Sequence, residues 1–325
     1  MDPVDRRKFF KFAGLTLGAG ALYRFAPPAL GEGGGLMDAL GRANGERPAP
    51  FSFVQFSDTH VGFTGEPDPL GTKAFERAVE TVNALPQMPD LVLFTGDLTH
   101  DSEKPGEHAA RMKRFREIAG NLKAPLVKCV PGEHDAGLDG GTLFRENFGE
   151  THYSFDHRGV HFVALDNVSL GKPAVGKEQL AWLAKDLERF PKTAPIVVFT
   201  HRPLFDLKPE WEWFTSDGDQ VMNALAPYEN VTVLYGHIHR EHAHVEGHAS
   251  HYASRSLIFA FPDPESGVPK KPVPFDPAKP FQNLGLRRVS ERPPSQPVVE
   301  PIELTLREYA GTVGIQQLLR EGEAS

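Results

Sequence analysis

An α/β protein with buried sheets is what this sequence predicts, and three observations predict it. Six short runs rich in β-branched and aromatic residues recur between residues 51 and 236. They are apolar almost throughout rather than alternating, as strands covered on both faces must be. Amphipathic stretches of helical period separate them, which is the pattern of strands and helices packed in layers. Length and composition agree, because 325 residues at 40% hydrophobic and 24% charged give ample core and no disorder bias.

The chain begins MDPVDRRKFFKFAGLTLGAGALYRFAPPAL (1–30): basic residues, a modestly apolar Gly- and Ala-rich run, then small residues and prolines. That order is an export-signal pattern, and Arg6-Arg7 before Lys8-Phe9-Phe10-Lys11 resembles a twin-arginine signal. The expectation is delivery to the twin-arginine export machinery and a periplasmic or extracellular destination. The run Phe12–Tyr23 is well short of the roughly 20 residues that cross a bilayer. No later run is longer, so no membrane span is expected in the mature protein. Residues 31–50, rich in Gly, Pro and Ala, read as a linker.

The strand candidates follow in order as FSFVQFS (51–57), LVLFT (91–95), LVKCV (126–130), VHFVALD (160–166), IVVFT (196–200) and VTVLYG (231–236). Ala74, Ala78, Val82 and Leu85 mark one helical face, and Leu180, Leu183, Leu187 and Phe190 another. A third helix is expected within 108–122, around Met112, Phe115 and Ile118. One domain is expected over 51–260. Beyond it, 261–325 reads as an extension that opens with a strap, Pro262–Pro280, holding seven prolines. It ends in a short strand pattern, IELTL, and a helical one. Residues 1–30 hold five basic and two acidic side chains, so a net charge of −8 leaves a more acidic body. With no basic stripe, no nucleic-acid partner is expected. Cys129, the only cysteine, excludes an intramolecular disulfide and reads as a small buried hydrophobe.

Five of the six strand candidates run directly into side chains able to bind metal. These are Ser57-Asp58-Thr59-His60, Gly96-Asp97-Leu98-Thr99-His100, Gly132-Glu133-His134-Asp135, His201-Arg202-Pro203 and Gly236-His237-Ile238-His239. Ligands in open α/β proteins gather at the carboxyl ends of strands, so separate loops can converge there. Singly each signal is weak, since a Gly-Asp pair is mostly a turn. As an ordered set they resemble the calcineurin-like metallophosphoesterase family, with its D-x-H, G-D, G-N-H-[DE], H and G-H-x-H blocks, over roughly Phe51–Tyr252.

The resemblance implies a four-layer α/β sandwich, two face-to-face mixed β-sheets flanked by helices. It also implies a metal-dependent hydrolase of phosphoester bonds, acting on a small phosphoester through two ions and a hydroxide generated between them. By the same resemblance, Asp58, His60 and His239 hold one ion, Asp97 bridges both, and Glu133, His201 and His237 hold the second. Carboxylate and imidazole ligands suit Mn, Fe or Zn. His134 would stand beside the phosphate, stabilising charge or protonating the leaving oxygen, with Asp135 orienting its ring. Purple acid phosphatases, relatives within the fold, carry tyrosine three residues after the bridging aspartate. His100 occupies that position here, as a donor behind the ligands or a turn residue, so a tyrosinate–iron centre is not expected.

The stretch PGEHD (131–135) departs from the family pattern, because Glu133 stands where asparagine is expected. Two divalent ions, three carboxylates and a hydroxide are neutral together, whereas the asparagine version keeps one positive charge. A less positive centre favours a phosphodiester monoanion over a monoester dianion, unless Fe(III) restores the charge. Two alternatives stay open: Glu133 turned away from a weak second ion, and a catalytically weak metal-binding or partner-binding protein that retains the fold. His242, His244, His248 and His251 are expected to decorate strands rather than form a metal tract. Trp211 and Trp213 are expected to pack as core or lid, and Asp166-Asn167 to shape a loop.

Overall fold

The computed structural model describes residues 51–292 and 296–303. The export-signal and linker readings, and the chain beyond 303, lie outside the described residues. The first sheet begins with β1 (Ser52–Phe56), β2 (Leu91–Thr95) and β3 (Leu126–Val130), all parallel. The second holds β4 (Tyr153–His157), β5 (Val160–Ala164), β6 (Pro195–Phe199), β7 (Asn230–Tyr235), β8 (His242–Glu246) and β9 (Ala249–Ala253) in the order β4-β5-β6-β7-β9-β8. Its four central strands are parallel and its two edge strands antiparallel. The chain then returns to the first sheet as β10 (Gly285–Arg292) and β11 (Gln296–Glu303), giving the order β11-β10-β1-β2-β3.

Six α-helices are described: α1 (Lys73–Asn83), α2 (Glu107–Ala119), α3 (Glu133–Ala136), α4 (Thr142–Phe148), α5 (Lys177–Leu187) and α6 (Gly218–Leu225). Three apolar cores show how they stack. Phe56, Phe94 and Val127 of the first sheet pack with Phe75 of α1, Phe115 of α2 and Phe148 of α4. Val198 and Val233 of the second sheet pack with Leu183 of α5 and Val221 of α6. Between the sheets, Phe53, Leu93, Phe162 and Phe199 interdigitate, with Phe53 and Phe162 edge to face at 5.6 Å. Each such side chain, fully buried, contributes roughly 1.5–3 kcal/mol. Helix, sheet, sheet and helix make the four layers, with both sheets mixed, as the resemblance implies.

The strands with continuous apolar runs form where expected, because burial on both faces leaves that signature. β4, β8 and β9 escape it. YSFDH, HAHVE and ASHYA alternate or carry several polar residues, and β4 and β8 are sheet edges. The expected domain boundary at 260 is also too early. β10 pairs antiparallel with β1 from Ser52↔Ser290 to Gln55↔Arg287, and Phe281, Leu284 and Leu286 are buried in the first core. The extension completes the first sheet.

One buried acid outside the site has a measurable consequence. Asp68 is 3% exposed, and its Oδ1 accepts the Leu70 amide at 3.1 Å. Burial pushes its carboxyl up to about 7 from 3.8, against that hydrogen bond. The folded chain therefore holds this proton more tightly than the unfolded one. The associated stability is fully present below pH 3.8 and is lost as pH rises through 7. Asp68→Asn keeps the acceptor and removes the titration. Its stability relative to the parent should rise by roughly 1–3 kcal/mol between pH 4 and 8. Urea unfolding at the two pH values checks this, and a constant difference would refute it.

Candidate metal centre

All seven candidate ligands come together at the carboxyl ends of five strands. Asp58 and His60 follow β1, Asp97 follows β2 and Glu133 follows β3, so the first sheet supplies every carboxylate. His201 follows β6, and His237 and His239 follow β7. The loops after β1 and β2 run side by side, with Asp58 N–H donating to Gly96 O (3.1 Å) and His60 N–H to Asp97 O (2.9 Å). Among the described residues, eight non-glycine residues have positive φ, and five are Asp58, His60, Asp97, His237 and His239. That conformation costs on the order of 1–3 kcal/mol per residue and gathers where a site over-determines the backbone. The strain is concentrated on the ligand set.

Two glycines are needed there for separate reasons. Gly96 has φ +91, and a Cβ on it would lie 2.3 Å from His201 Nδ1. Gly132 has an ordinary φ of −100, but a Cβ would lie 2.0 Å from Asp97 Oδ1. The second is a requirement for close approach rather than for a turn.

The seven side chains form two four-residue groups, Asp58–His60–Asp97–His239 and Asp97–Glu133–His201–His237, each with ligand atoms within 4.8 Å of one another, and His60 also groups in this way with His100 and His134. Asp97 is common to both. Its Oδ2 lies 3.3 Å from His60 Nε2 and 3.4 Å from His201 Nε2. Three histidines have their tautomers set by backbone carbonyls, which can only accept. His201 Nδ1–H donates to Thr95 O (2.7 Å), His239 Nδ1–H to Phe259 O (2.9 Å) and His237 Nε2–H to Glu212 O (3.2 Å). Each ring then turns its other nitrogen, with its lone pair, toward the carboxylates. The fourth ring, His60, has Nδ1 3.3 Å from His100 Nδ1. His100 thus stands behind a ligand.

These lone pairs test whether metal fits. His201 Nε2 and Glu133 Oε2 are 2.8 Å apart, yet both are buried without a hydrogen-bond partner. His237 Nδ1 and Glu133 Oε1 are likewise 2.8 Å apart. Nitrogen lone pairs against carboxylate oxygens repel unless a cation or proton lies between them. The electrostatics agree. Burial opposes a charge on His201, but Asp97 and Glu133 raise its pKa well above the ordinary value. Burial likewise opposes ionisation of Glu133, and His237 and His201 nevertheless hold its carboxyl well below the usual range. The oxygen and nitrogen donors, with no thiolate, suit the Mn, Fe or Zn class.

Glu133 points into this cluster rather than away from it. Oε1 also faces the Arg202 guanidinium at 3.4 Å. Arg202 is 7% exposed and donates through Nη1 to the same Glu212 carbonyl that holds His237 (2.9 Å). The motif His201-Arg202-Pro203 contains this arginine, but nothing in its spacing marks the contact with Glu133.

The expected role of Asp135 is corrected. Its carboxylate does not reach the His134 ring. It accepts the amides of Leu98, Thr99 and Gly132 and the Thr99 hydroxyl, all at 2.9 Å, and so ties the β2 and β3 loops together. Burial, then Asp97, pushes its carboxyl up to about 7 against those donors. Asp101 takes the orienting position instead, with Oδ1 2.5 Å from His134 Nδ1. Burial disfavours a proton on His134, but Asp97, Glu133 and Asp101 raise its pKa overall. Asp101 lies four residues beyond Asp97 on the same loop, which is the signal that could have found it.

The remaining residues pack much as expected. Trp213 is fully buried with Tyr235 and Ile238, and Trp211 lies edge-on to it at 4.8 Å. Asp166 caps the Val168 and Ser169 amides, and Asn167 Nδ2 donates to Arg202 O (3.0 Å). His242, His244 and His251 sit on β8 and β9 and belong to none of the candidate metal groups among the described residues.

A four-layer sandwich whose strand ends gather carboxylates and imidazoles around a shared aspartate is the architecture of metallophosphoesterases. The calcineurin-like phosphoesterase family model matches residues 51–241, so the chain belongs to that family and is a phosphoester hydrolase. It is 29% identical over 201 residues to a probable glycerophosphodiester phosphodiesterase of Arcobacter nitrofigilis, covering 58% of this chain and 71% of that one. It is 32% identical over 186 residues to the serine/threonine-protein phosphatase CPPED1 of Mus musculus, covering 49% and 58%. It is 28% identical over 252 residues to a probable cyclic nucleotide phosphodiesterase of a Synechococcus strain, covering 70% and 84%. A dimetal phosphatase structure from Danio rerio shares the fold at 15% identity and TM-score 0.52, over 79% of this chain and 99% of that one. No helix among the described residues is long and apolar enough to cross a membrane.

Proposed function

We propose that the protein hydrolyses phosphodiesters at a centre of two metal ions bridged by Asp97, with Glu133 among the ligands. The observation that carries this is the pair of four-residue groups sharing Asp97, with histidine lone pairs aimed into both. Asp58, His60, Asp97 and His239 would hold one ion, and Asp97, Glu133, His201 and His237 the other. Two such ions supply Lewis acidity toward phosphate oxygens and lower the pKa of a water. His134 borders both groups, its amide donating to Asp97 Oδ1 at 3.0 Å. With Nδ1 engaged by Asp101 and no hydrogen-bond partner for Nε2 among the described residues, Nε2 would stabilise charge on the phosphate or pass a proton to the departing oxygen. No side-chain nucleophile is needed.

Support for diesters comes from the Glu133 charge and from two relatives whose names specify phosphodiesterases. Arg202 offsets part of that charge, so the preference should be a matter of several-fold rather than orders of magnitude. The test uses chelated protein reloaded with Mn, Fe or Zn, assayed on bis(p-nitrophenyl) phosphate and p-nitrophenyl phosphate. Glu133→Asn should lower the diester-to-monoester ratio by about 3- to 10-fold. An unchanged ratio with unchanged metal content would sink the role given to Glu133. Export through the twin-arginine route remains part of the same reading, supported by residues 1–30 alone, and fusion of that segment to a reporter tests it.

A further inference from the structure

The proline-rich stretch 262–280 sends one side chain, Lys270, to the residues that pack behind the candidate ligands. Lys270 turns inward while Lys271 is exposed. Its Nζ donates to Trp211 O at 2.7 Å and lies 5.5 Å above the Phe261 ring. Both contacts border the candidate ligands. Phe261 packs on His239 with centroids 5.0 Å apart. Trp211 immediately precedes Glu212, whose carbonyl holds His237 and Arg202. This ammonium therefore stands between the supports of His237 and His239, near enough to Glu133 to feel its charge.

Glu133 and His134 are the more open members of the site, 27% and 31% exposed, whereas Asp58, Asp97 and His201 are buried. Substrate must approach from that open side. Only one of the three Lys270 N–H groups has a partner among the described residues. Burial lowers its pKa, while Glu133 and Glu212 draw it back up. The backbone around it is stiff: Pro269 precedes it, Pro272 follows, and Val273 N–H donates to Ala260 O at 2.8 Å. A cation fixed in this way loses little freedom when it meets an anion.

We propose that Lys270 forms an anion subsite beside the metal centre, and that the substrate is a phosphoester whose non-reacting portion carries a second anionic group. This rests on the hydrolase reading above and adds the charge of the substrate's far end. Attraction between Lys270 and such a group strengthens binding and screens with salt.

Two matched probes test it: the p-nitrophenyl ester of thymidine 5′-phosphate, and the same ester carrying a 3′-phosphate. Lys270→Gln retains a donor for Trp211 O and loses the charge. It should raise KM for the 3′-phosphorylated ester about 5-fold or more relative to the plain ester, with kcat little changed. Lys270→Arg should restore most of the difference, and the wild-type preference should shrink from 50 to about 500 mM salt. Equal losses on both probes would mean that Lys270 only braces the Trp211 loop, and no loss would mean that it touches nothing. Either result overturns the subsite.

Calorimetric binding of thymidine 3′,5′-bisphosphate against thymidine 5′-phosphate to the chelated, metal-free protein reads the subsite without turnover. If the wild type hydrolyses neither ester with any ion, the hydrolase reading fails on its own. The subsite then stands or falls on whether Lys270→Gln selectively weakens the bisphosphate.

Discussion

Replacing Asp97 by asparagine is expected to lower metal-dependent hydrolysis by on the order of 10³-fold and to leave at most one ion bound per chain. No other side chain belongs to both four-residue groups. Its Oδ2 faces His60 and His201 at 3.3 and 3.4 Å, so the change puts an amide where one carboxylate would serve two cations. The fold should survive, because the Oδ1 that accepts the His134 amide is preserved in asparagine. The checks are kcat/KM on a diester, metal content by mass spectrometry, and an unchanged circular dichroism spectrum. Two retained ions with near-normal activity would rule out Asp97 as the bridge.

The second large effect separates chemistry from metal binding. His134→Asn should cost about 10²- to 10³-fold in kcat while metal content stays at the wild-type value, since the ring lies outside the proposed ligand set. Asp101→Asn should cost about 10-fold, because it loosens the ring without removing it. Asp135→Asn should behave differently again. Four donors converge on that carboxylate, and an amide cannot accept from all of them. The expected loss is therefore in stability, about 1–3 kcal/mol, with a smaller change in kcat per folded molecule. If Asp135→Asn matched His134→Asn in kcat with full stability, Asp101 would not be the orienting acid.

What could be read from sequence divides along physical lines. β1, β2, β3, β6 and β7 are buried on both faces and announce themselves as apolar runs. Their ends carry the ligands, so fold and site were legible together. β8 and β10 were not legible, since edge pairing in one and pairing over some 230 residues in the other leave no local period. The Glu212 carbonyl, which holds both His237 and Arg202, has no signature because every residue has a carbonyl. Asp135 misled because its role was carried over with the G-N-H-[DE] resemblance, and a motif does not say which way a side chain turns. On a tight helical turn, the neighbour of His134 points back toward the β2 loop, and the partner comes from that loop as Asp101. Lys270 was hidden for another reason, being distant in sequence from everything it touches.

The most direct measurement is an anomalous-scattering crystal structure of the manganese-loaded protein. Two peaks are expected about 3.5–4 Å apart on either side of the Asp97 carboxylate, one bordered by Asp58 and His239 and the other by Glu133 and His201. A single peak, or peaks that leave Asp97 outside coordinating distance, would contradict the two-ion centre.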